Sequence, residues 1–69
     1  MYGEKIQLID VGRSKFNGEV TAKNEDAFYK ELKKHFMSND LEWTYDEEKN
    51  EGTIIFGGFR VGGKFKVIK

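Results

Sequence analysis

The 69-residue sequence contains neither cysteine nor proline. The absence of cysteine excludes disulfides, thiolate metal ligands and a cysteine nucleophile, and it favours a reducing compartment, so we expect a cytoplasmic protein. A chain this short buries only about 60% of the surface that its unfolded form exposes, so its stability depends on a small core without covalent support. We predict a single domain over residues 1–69.

Long apolar segments are also missing. No apolar run approaches the roughly 20 residues that span a bilayer, and the first ten residues, MYGEKIQLID, lack the pattern of a signal peptide. Hydrophobic residues make up 38% of the chain and aromatic residues 14%, which is enough for a folded core. We therefore expect a soluble folded protein with no membrane contact.

The sequence carries no set of residues typical of a catalytic, cofactor or metal site. Its single histidine, His35, falls on the apolar stripe of a predicted helix, where packing explains it better than catalysis. The carboxylates of residues 46–51 lack the loop length and spacing of a calcium-binding EF-hand. The segment GRSKFNG has glycines but not the Gly-Lys-Ser/Thr ending of a phosphate-binding loop. We predict that the protein is not an enzyme and has no catalytic residue, cofactor or metal.

One segment has both the end signals and the periodicity of a helix. Asn24 can accept hydrogen bonds from the first backbone amides, and Glu25 and Asp26 favour the positive end of the helix dipole. We predict a helix over residues 25–38, which is too short to be stable alone and must pack on a sheet. Its side chains at helical spacing form one stripe: Phe28, Leu32, His35 and Phe36.

The segment before the helix predicts two strands. Apolar residues occur on both faces of residues 4–11, EKIQLIDV, which is typical of an interior strand. Gly12 interrupts this strand, and Asn17-Gly18 is the strongest hairpin signal in the chain, because Asn and Gly adopt the left-handed conformations of tight turns. We predict a short return strand over residues 19–22.

The segment after the helix alternates with period two. Leu41, Trp43 and Tyr45 fall on one face of a strand and polar residues on the other, as expected for a strand that is covered on one side. A polar turn over residues 48–52 then leads into a strand over residues 53–60. The expected cross-strand pairs are Tyr45 with Ile55 and Leu41 with Phe59.

The last seventeen residues, TIIFGGFRVGGKFKVIK, are rich in β-branched and aromatic residues and predict a hairpin. A two-residue turn at Gly62-Gly63 would mix charged and core residues on one face, whereas a three-residue loop over residues 61–63 separates them. We prefer the loop, which pairs Phe59 with Phe65. It directs four side chains toward the helix: Ile55, Phe59, Phe65 and Val67.

These elements predict an α+β fold. We expect an antiparallel sheet of about five strands in the chain order β-β-α-β-β-β, with one helix packed on one face. The preferred register leaves apolar and basic side chains together on the opposite face, where apolar groups need either cover or a partner. The predicted partner-binding residues there are Ile54, Phe56, Arg60, Lys64, Lys66 and Ile68. In the alternative, the N-terminal hairpin curls over this face and covers it as a second layer.

Charge is balanced overall but unevenly distributed. Twelve acidic and twelve basic residues give no net charge, yet residues 41–52 carry five acids against one lysine, and residues 53–69 carry four basic residues and no acid. We expect the acidic residues at one end of the sheet and Arg60, Lys64 and Lys66 toward the other end. The alternative is that both groups are solvated turn residues that keep a small protein soluble.

Two functions fit this layout. The first is a small non-enzymatic binding module, an adaptor or inhibitor, that contacts another protein through the exposed sheet face or the charged hairpin tips. The alternative is binding of single-stranded nucleic acid, in which exposed aromatic rings stack on bases and basic side chains contact phosphates. A pI near 6.6 argues against the alternative, since nucleic-acid-binding domains are usually basic. Because the core is so small, the chain could also form a homodimer through the sheet face opposite the helix.

Overall fold

Five strands and one helix make up the fold, in a computed structural model that describes residues 2–68. In chain order the elements are β1 (Lys5–Val11), β2 (Phe16–Thr21), α1 (Glu25–Lys33), β3 (Leu41–Asp46), β4 (Glu51–Phe56) and β5 (Arg60–Ile68). All neighbouring strands are antiparallel and lie in the spatial order β2-β1-β5-β4-β3. The predicted α+β fold, with its order β-β-α-β-β-β, is confirmed, and β1 is an interior strand as expected.

The helix begins where the sequence predicts but ends earlier. The Asn24 side chain accepts a hydrogen bond from the Ala27 amide at 2.9 Å, as an N-cap residue does. The helix ends at Lys33 rather than at Ser38, and the Lys33 ammonium donates to the carbonyls of Met37 and Ser38 at 3.3 and 2.9 Å. These bonds stabilise a non-helical segment after the helix. No helix in residues 2–68 has the length and apolar character needed to cross a membrane.

The core lies between the helix and one face of the sheet. Phe28 on α1 is fully buried, and its ring packs edge to face against Trp43 and Phe65, with centroids 4.8 and 5.2 Å apart. Such aromatic pairs contribute about 0.5–1.5 kcal/mol each beyond the area they bury. The buried residues are Ile6, Leu8, Val11, Ala22, Phe28, Leu32, Leu41, Ile54, Phe65 and Val67.

The N-terminal hairpin turns earlier than predicted. The turn lies over residues 12–15, and Asn17-Gly18 lies inside β2 instead of forming the reversal. The Asn17 side chain accepts from the Asp10 amide at 3.2 Å and donates to the Lys15 carbonyl at 3.0 Å. The Asn17 side chain thus connects the two ends of the turn, because asparagine side chains readily hydrogen-bond to nearby backbone groups in turns.

The C-terminal hairpin also turns elsewhere than predicted. Its turn is Gly57 to Phe59, where Gly57 and Gly58 have φ values of 62° and 86°, a conformation that favours glycine. The expected loop over residues 61–63 is wrong, because Gly62 and Gly63 lie inside β5. There the register shifts against β4, so that Ile54 pairs with Gly63 and Ile55 with Val61.

The shifted register reverses the two faces of β4. Leu41 pairs with Phe56 and Tyr45 with Gly52, three residues away from the expected partners Phe59 and Ile55. An odd shift moves every side chain of a strand to the other face. Ile54 is therefore fully buried under the helix, Ile55 lies on the opposite face, and Phe59 is 80% exposed in the turn. The predicted inward position of Phe59 is wrong.

The face opposite the helix stays open. The N-terminal hairpin joins the same sheet, because β1 pairs with β5 along its length, and it does not fold over as a second layer. Within residues 2–68, the alternative of a covered reverse face is therefore wrong. This open face carries Ile9 and Ile55, both partly buried, among charged and threonine side chains.

Two single variants, Ile54→Ala and Ile55→Ala, test this register. We expect Ile54→Ala to lower the free energy of unfolding by about 2–5 kcal/mol, because it leaves a cavity in the core. Ile55→Ala, the matched control, should cost about 1 kcal/mol, since Ile55 is partly exposed on the open face. Urea denaturation measures both. A larger loss for Ile55→Ala than for Ile54→Ala would show that the strand faces the other way.

Candidate functional site

The six residues predicted to bind a partner do not form one surface. Ile54 is in the core, and the Phe56 ring packs on Phe36 with centroids 5.3 Å apart, so neither points away from the helix. Arg60 pairs with Phe56 and shares the helix side, because residues directly opposite in a sheet project to the same face. The remaining three, Lys64, Lys66 and Ile68, lie on the open face.

The cause of this separation is the shift at Gly62-Gly63. Without it, Arg60 and Lys64 would project to the same side, since side chains alternate along a strand. Gly62 and Gly63 together lie opposite Ile54, and this extra residue reverses the alternation. The predicted surface is therefore corrected: the basic residues of β5 are divided between the two sides of the sheet.

The expected separation of acidic and basic ends is only partly present. Lys66 pairs directly with Glu51 and so lies beside the acidic turn of residues 46–51, while Lys64 pairs with Thr53. Arg60 lies at the opposite end, next to the Gly57–Phe59 turn. Of the three basic residues expected at that end of the sheet, only Arg60 lies next to the turn.

A different set of exposed residues gathers at one end of the sheet. We call this the glycine-rich end: residues 12–15, 35–38 and 57–63, two turns, the segment after the helix and the first part of β5. The most exposed large hydrophobic side chains of residues 2–68 all lie here: Met37 at 92%, Phe59 at 80% and Val61 at 65%. Apolar side chains clustered on a surface in this way mark contact sites more often than scattered ones do.

A half-open cleft of about 730 Å³ lies at the same end. The aromatic side chains of Phe36 and Phe56 and the exposed Met37 and Val61 supply apolar lining. The cleft lies within the range of about 300–1,000 Å³ that small-ligand pockets span. The cleft is thus partly lined by apolar side chains and is large enough for at least one bulky side chain.

Basic side chains also line the cleft. Arg13, Lys15 and Lys64 contribute three positive charges, against one acid, Asp10. The Asp10 carboxylate accepts a hydrogen bond from the Asn17 side chain at 3.3 Å. Within residues 2–68, none of the three cations has an ion-pair partner. The cleft therefore presents a net positive charge to solvent.

Glycine allows the walls of this cleft to approach each other. A Cβ atom on Gly62 would lie 2.5 Å from Phe36 Cε1 and 2.8 Å from Phe56 Cδ1, closer than such atoms can pack. A Cβ on Gly12 would overlap the backbone of His35. The two glycines thus let the segment after the helix lie directly on the end of the sheet.

His35 has a packing role in this segment. It lies beyond the helix end, not on the helical stripe, and its ring stacks on Phe16 at 4.4 Å with an angle of 18° between the planes. The ring is partly buried and lines the cleft. Stacking on Phe16 ties the segment after the helix to β2.

A second groove runs between the helix and the edge strand β3. It has three aromatic residues, Tyr2, Tyr29 and Trp43, and the acidic residues Glu25, Asp26 and Glu42. Burial raises the pKa of Tyr2, a hydrogen bond with Trp43 opposes this, and the charge of Glu25 adds to the rise. The Tyr29 hydroxyl donates to the Asn39 carbonyl at 2.9 Å, so this groove uses part of its polar lining to hold the fold together.

Neither groove brings together groups for metal binding. In the part of the chain that the structure describes, no three His, Asp or Glu side chains lie close enough to hold an ion. What the cleft at the glycine-rich end offers is apolar surface and unpaired positive charge. This combination suits non-covalent recognition.

Sequence reasoning missed Arg13, Lys15 and Met37 as members of the site. Arg13 and Lys15 belong to the turn of the first hairpin, whereas the sequence predicts that turn at Asn17-Gly18. The predicted helix over residues 25–38 includes Met37, which lies beyond the actual helix end at Lys33. The signal available was the glycine before Arg13, since Gly12 has a φ of 79° and marks the turn.

Comparison with protein-family models, with curated proteins and with solved structures finds no match to this chain.

Substituting Gly62 tests whether the cleft depends on close packing at this position. We expect Gly62→Ala to lower the free energy of unfolding by about 1–3 kcal/mol, because the added methyl group collides with the Phe36 ring. Adding Phe36→Leu removes the collision with Phe36 and leaves the one with Phe56, so the double variant should lose less stability than the two single variants combined. Chemical denaturation of all three variants gives this coupling. Strict additivity would mean that Gly62 and Phe36 are not in contact.

Proposed function

We propose that this protein is a non-enzymatic binding module, an adaptor or inhibitor, that contacts another protein through the glycine-rich end. The observation that supports this proposal is that Met37 and Val61, both largely exposed, line one cleft, and that Phe59, also largely exposed, lies in the turn just before β5. Burying such side chains against a partner contributes about 25 cal/mol per Å² of apolar area. Exposed apolar side chains that lie near one another mark interaction sites more often than scattered ones do.

The construction of the site supports binding more than catalysis. Its apolar members stand on turns and on the segment after the helix, and these are anchored by Gly12 and Gly62 against the sheet. The polar groups are single basic side chains without an adjacent nucleophile, general base and orienting acid, the geometry that covalent catalysis requires. The site thus offers a pre-formed surface for a partner to dock on.

One observation favours the second candidate, single-stranded nucleic acid. Phe59 is exposed beside Arg60, so a base could stack on the ring while the guanidinium meets a phosphate. Phe65, in contrast, is buried and Phe56 packs on Phe36, so two of the three rings of this segment are not available for stacking. The protein surface remains the better supported proposal.

Removing the exposed apolar side chains should abolish partner binding without unfolding the protein. We expect the Met37→Ala/Phe59→Ala variant to keep its stability within about 0.5 kcal/mol, because both side chains are exposed. Its affinity for a partner captured from the native cell and then purified should fall by at least about tenfold. Titration of ¹⁵N-labelled protein with that partner should shift the amides of residues 35–38 and 57–63.

Ile68→Ala is the matched control, since Ile68 is a 41% exposed apolar residue on the open face. It should leave the affinity unchanged. Equal losses for the control and the double variant, or amide shifts confined to the part of the open face around Lys66 and Ile68, which lies outside the cleft, would place the contact there instead. Self-association through the open face stays a prediction, which the mass of the protein in solution tests.

A further inference from the structure

We infer that the occupant of the cleft is an acidic linear segment of the partner, carrying one large apolar side chain that enters the cleft. This inference rests on the proposed function and names the chemistry of the partner. It has two parts: apolar lining that accepts an anchor residue, and unpaired cations that select acidic neighbours.

The anchor is indicated by the shape and composition of the cleft. The Phe36 and Phe56 rings pack on each other at 5.3 Å and both line the cleft, so an inserted side chain meets aromatic surface. Met37 and Val61 lie at the same cleft and remain exposed to solvent. A flexible methionine can adapt to an aromatic or aliphatic anchor, which methionine does at other recognition surfaces.

The acidic character is indicated by the charges around this anchor site. Arg13 and Lys15 stand on the turn between β1 and β2, and Lys64 stands on β5, so the positive charges come from separate elements that converge on one cleft. No acid of residues 2–68 pairs with these side chains. Electrostatic complementarity of this kind governs which partner binds and how fast.

The other charges of the molecule make this preference directional. The acidic turn of residues 46–51 lies at the far end of β3 and β4, away from the glycine-rich end. An acidic segment is therefore attracted by one end and repelled by the other. A basic segment is repelled by the cleft itself.

Three fluorescent eleven-residue peptides test the inference by anisotropy with the full chain. The first has a single Phe flanked by Asp and Glu, the second has the same Phe flanked by Lys, and the third replaces the Phe of the first by Ser. We expect the first to bind, and its affinity to fall as salt rises, because exposed charges are screened. The second and third should each bind at least about tenfold more weakly.

Matched charge reversals locate the contact. Arg13→Glu/Lys64→Glu should weaken the acidic Phe peptide by about tenfold or more, whereas Lys23→Glu/Lys49→Glu, with the same change in net charge at positions outside the cleft, should change it by less than about twofold. Circular dichroism melts establish that both variants are folded. If Arg13→Glu/Lys64→Glu does not fold, amide shifts of Gly62 and Met37 on titration of the unaltered protein give the same location.

Three results overturn the inference. The first is that the Lys-flanked peptide binds as well as the acidic one. The second is that both charge-reversal variants weaken binding equally, and the third is that a single-stranded oligonucleotide binds more tightly than the acidic peptide at the same salt. A fourth result separates the inference from the proposed function. If a partner binds with an affinity that depends on Met37 and Phe59, but the acidic peptide does not bind, the proposed binding module stands and the acidic segment is wrong.

Discussion

The packing of Phe28 between Trp43 and Phe65 is the contact on which the rest of the structure depends. The nine-residue helix is too short to persist in water, and this ring fixes it to the sheet through β3 and β5 at once. Because β5 lies in the middle of the sheet and β3 at its edge, one side chain ties the helix to both. The core is small, so little else could replace this contact.

The shortness of the helix has a direct consequence for the surface. The helix stops at Lys33, and the chain then runs across the end of the sheet instead of continuing over it. Gly12 and Gly62 allow this segment to lie close to the strands. The cleft forms where the segment meets the sheet end, and Met37 is left exposed beside it. The same geometry that completes the fold therefore creates its most distinctive surface.

Charge and apolar surface are distributed along the strands in a way that composition conceals. The chain has no net charge, yet the turn of residues 46–51 is acidic and the cleft at the other end is lined by three cations. The strands separate these regions because the turns before and after β4 lie at its opposite ends. Lys66 beside Glu51 shows that the separation is incomplete. A chain with no net charge can thus carry opposite charges at its two ends.

The sequence by itself determined the order of the elements, the capping of the helix by Asn24 and the inward face of β3. These follow from local chemistry: an amide cap, a helical stripe, and strict alternation at Leu41, Trp43 and Tyr45. Tertiary structure decided which glycine pair turns the last hairpin, because both pairs allow a reversal and only pairing with β1 and β4 distinguishes them. That choice set the faces of Ile54, Phe56 and Arg60, since a shift of one residue exchanges the two sides of a strand.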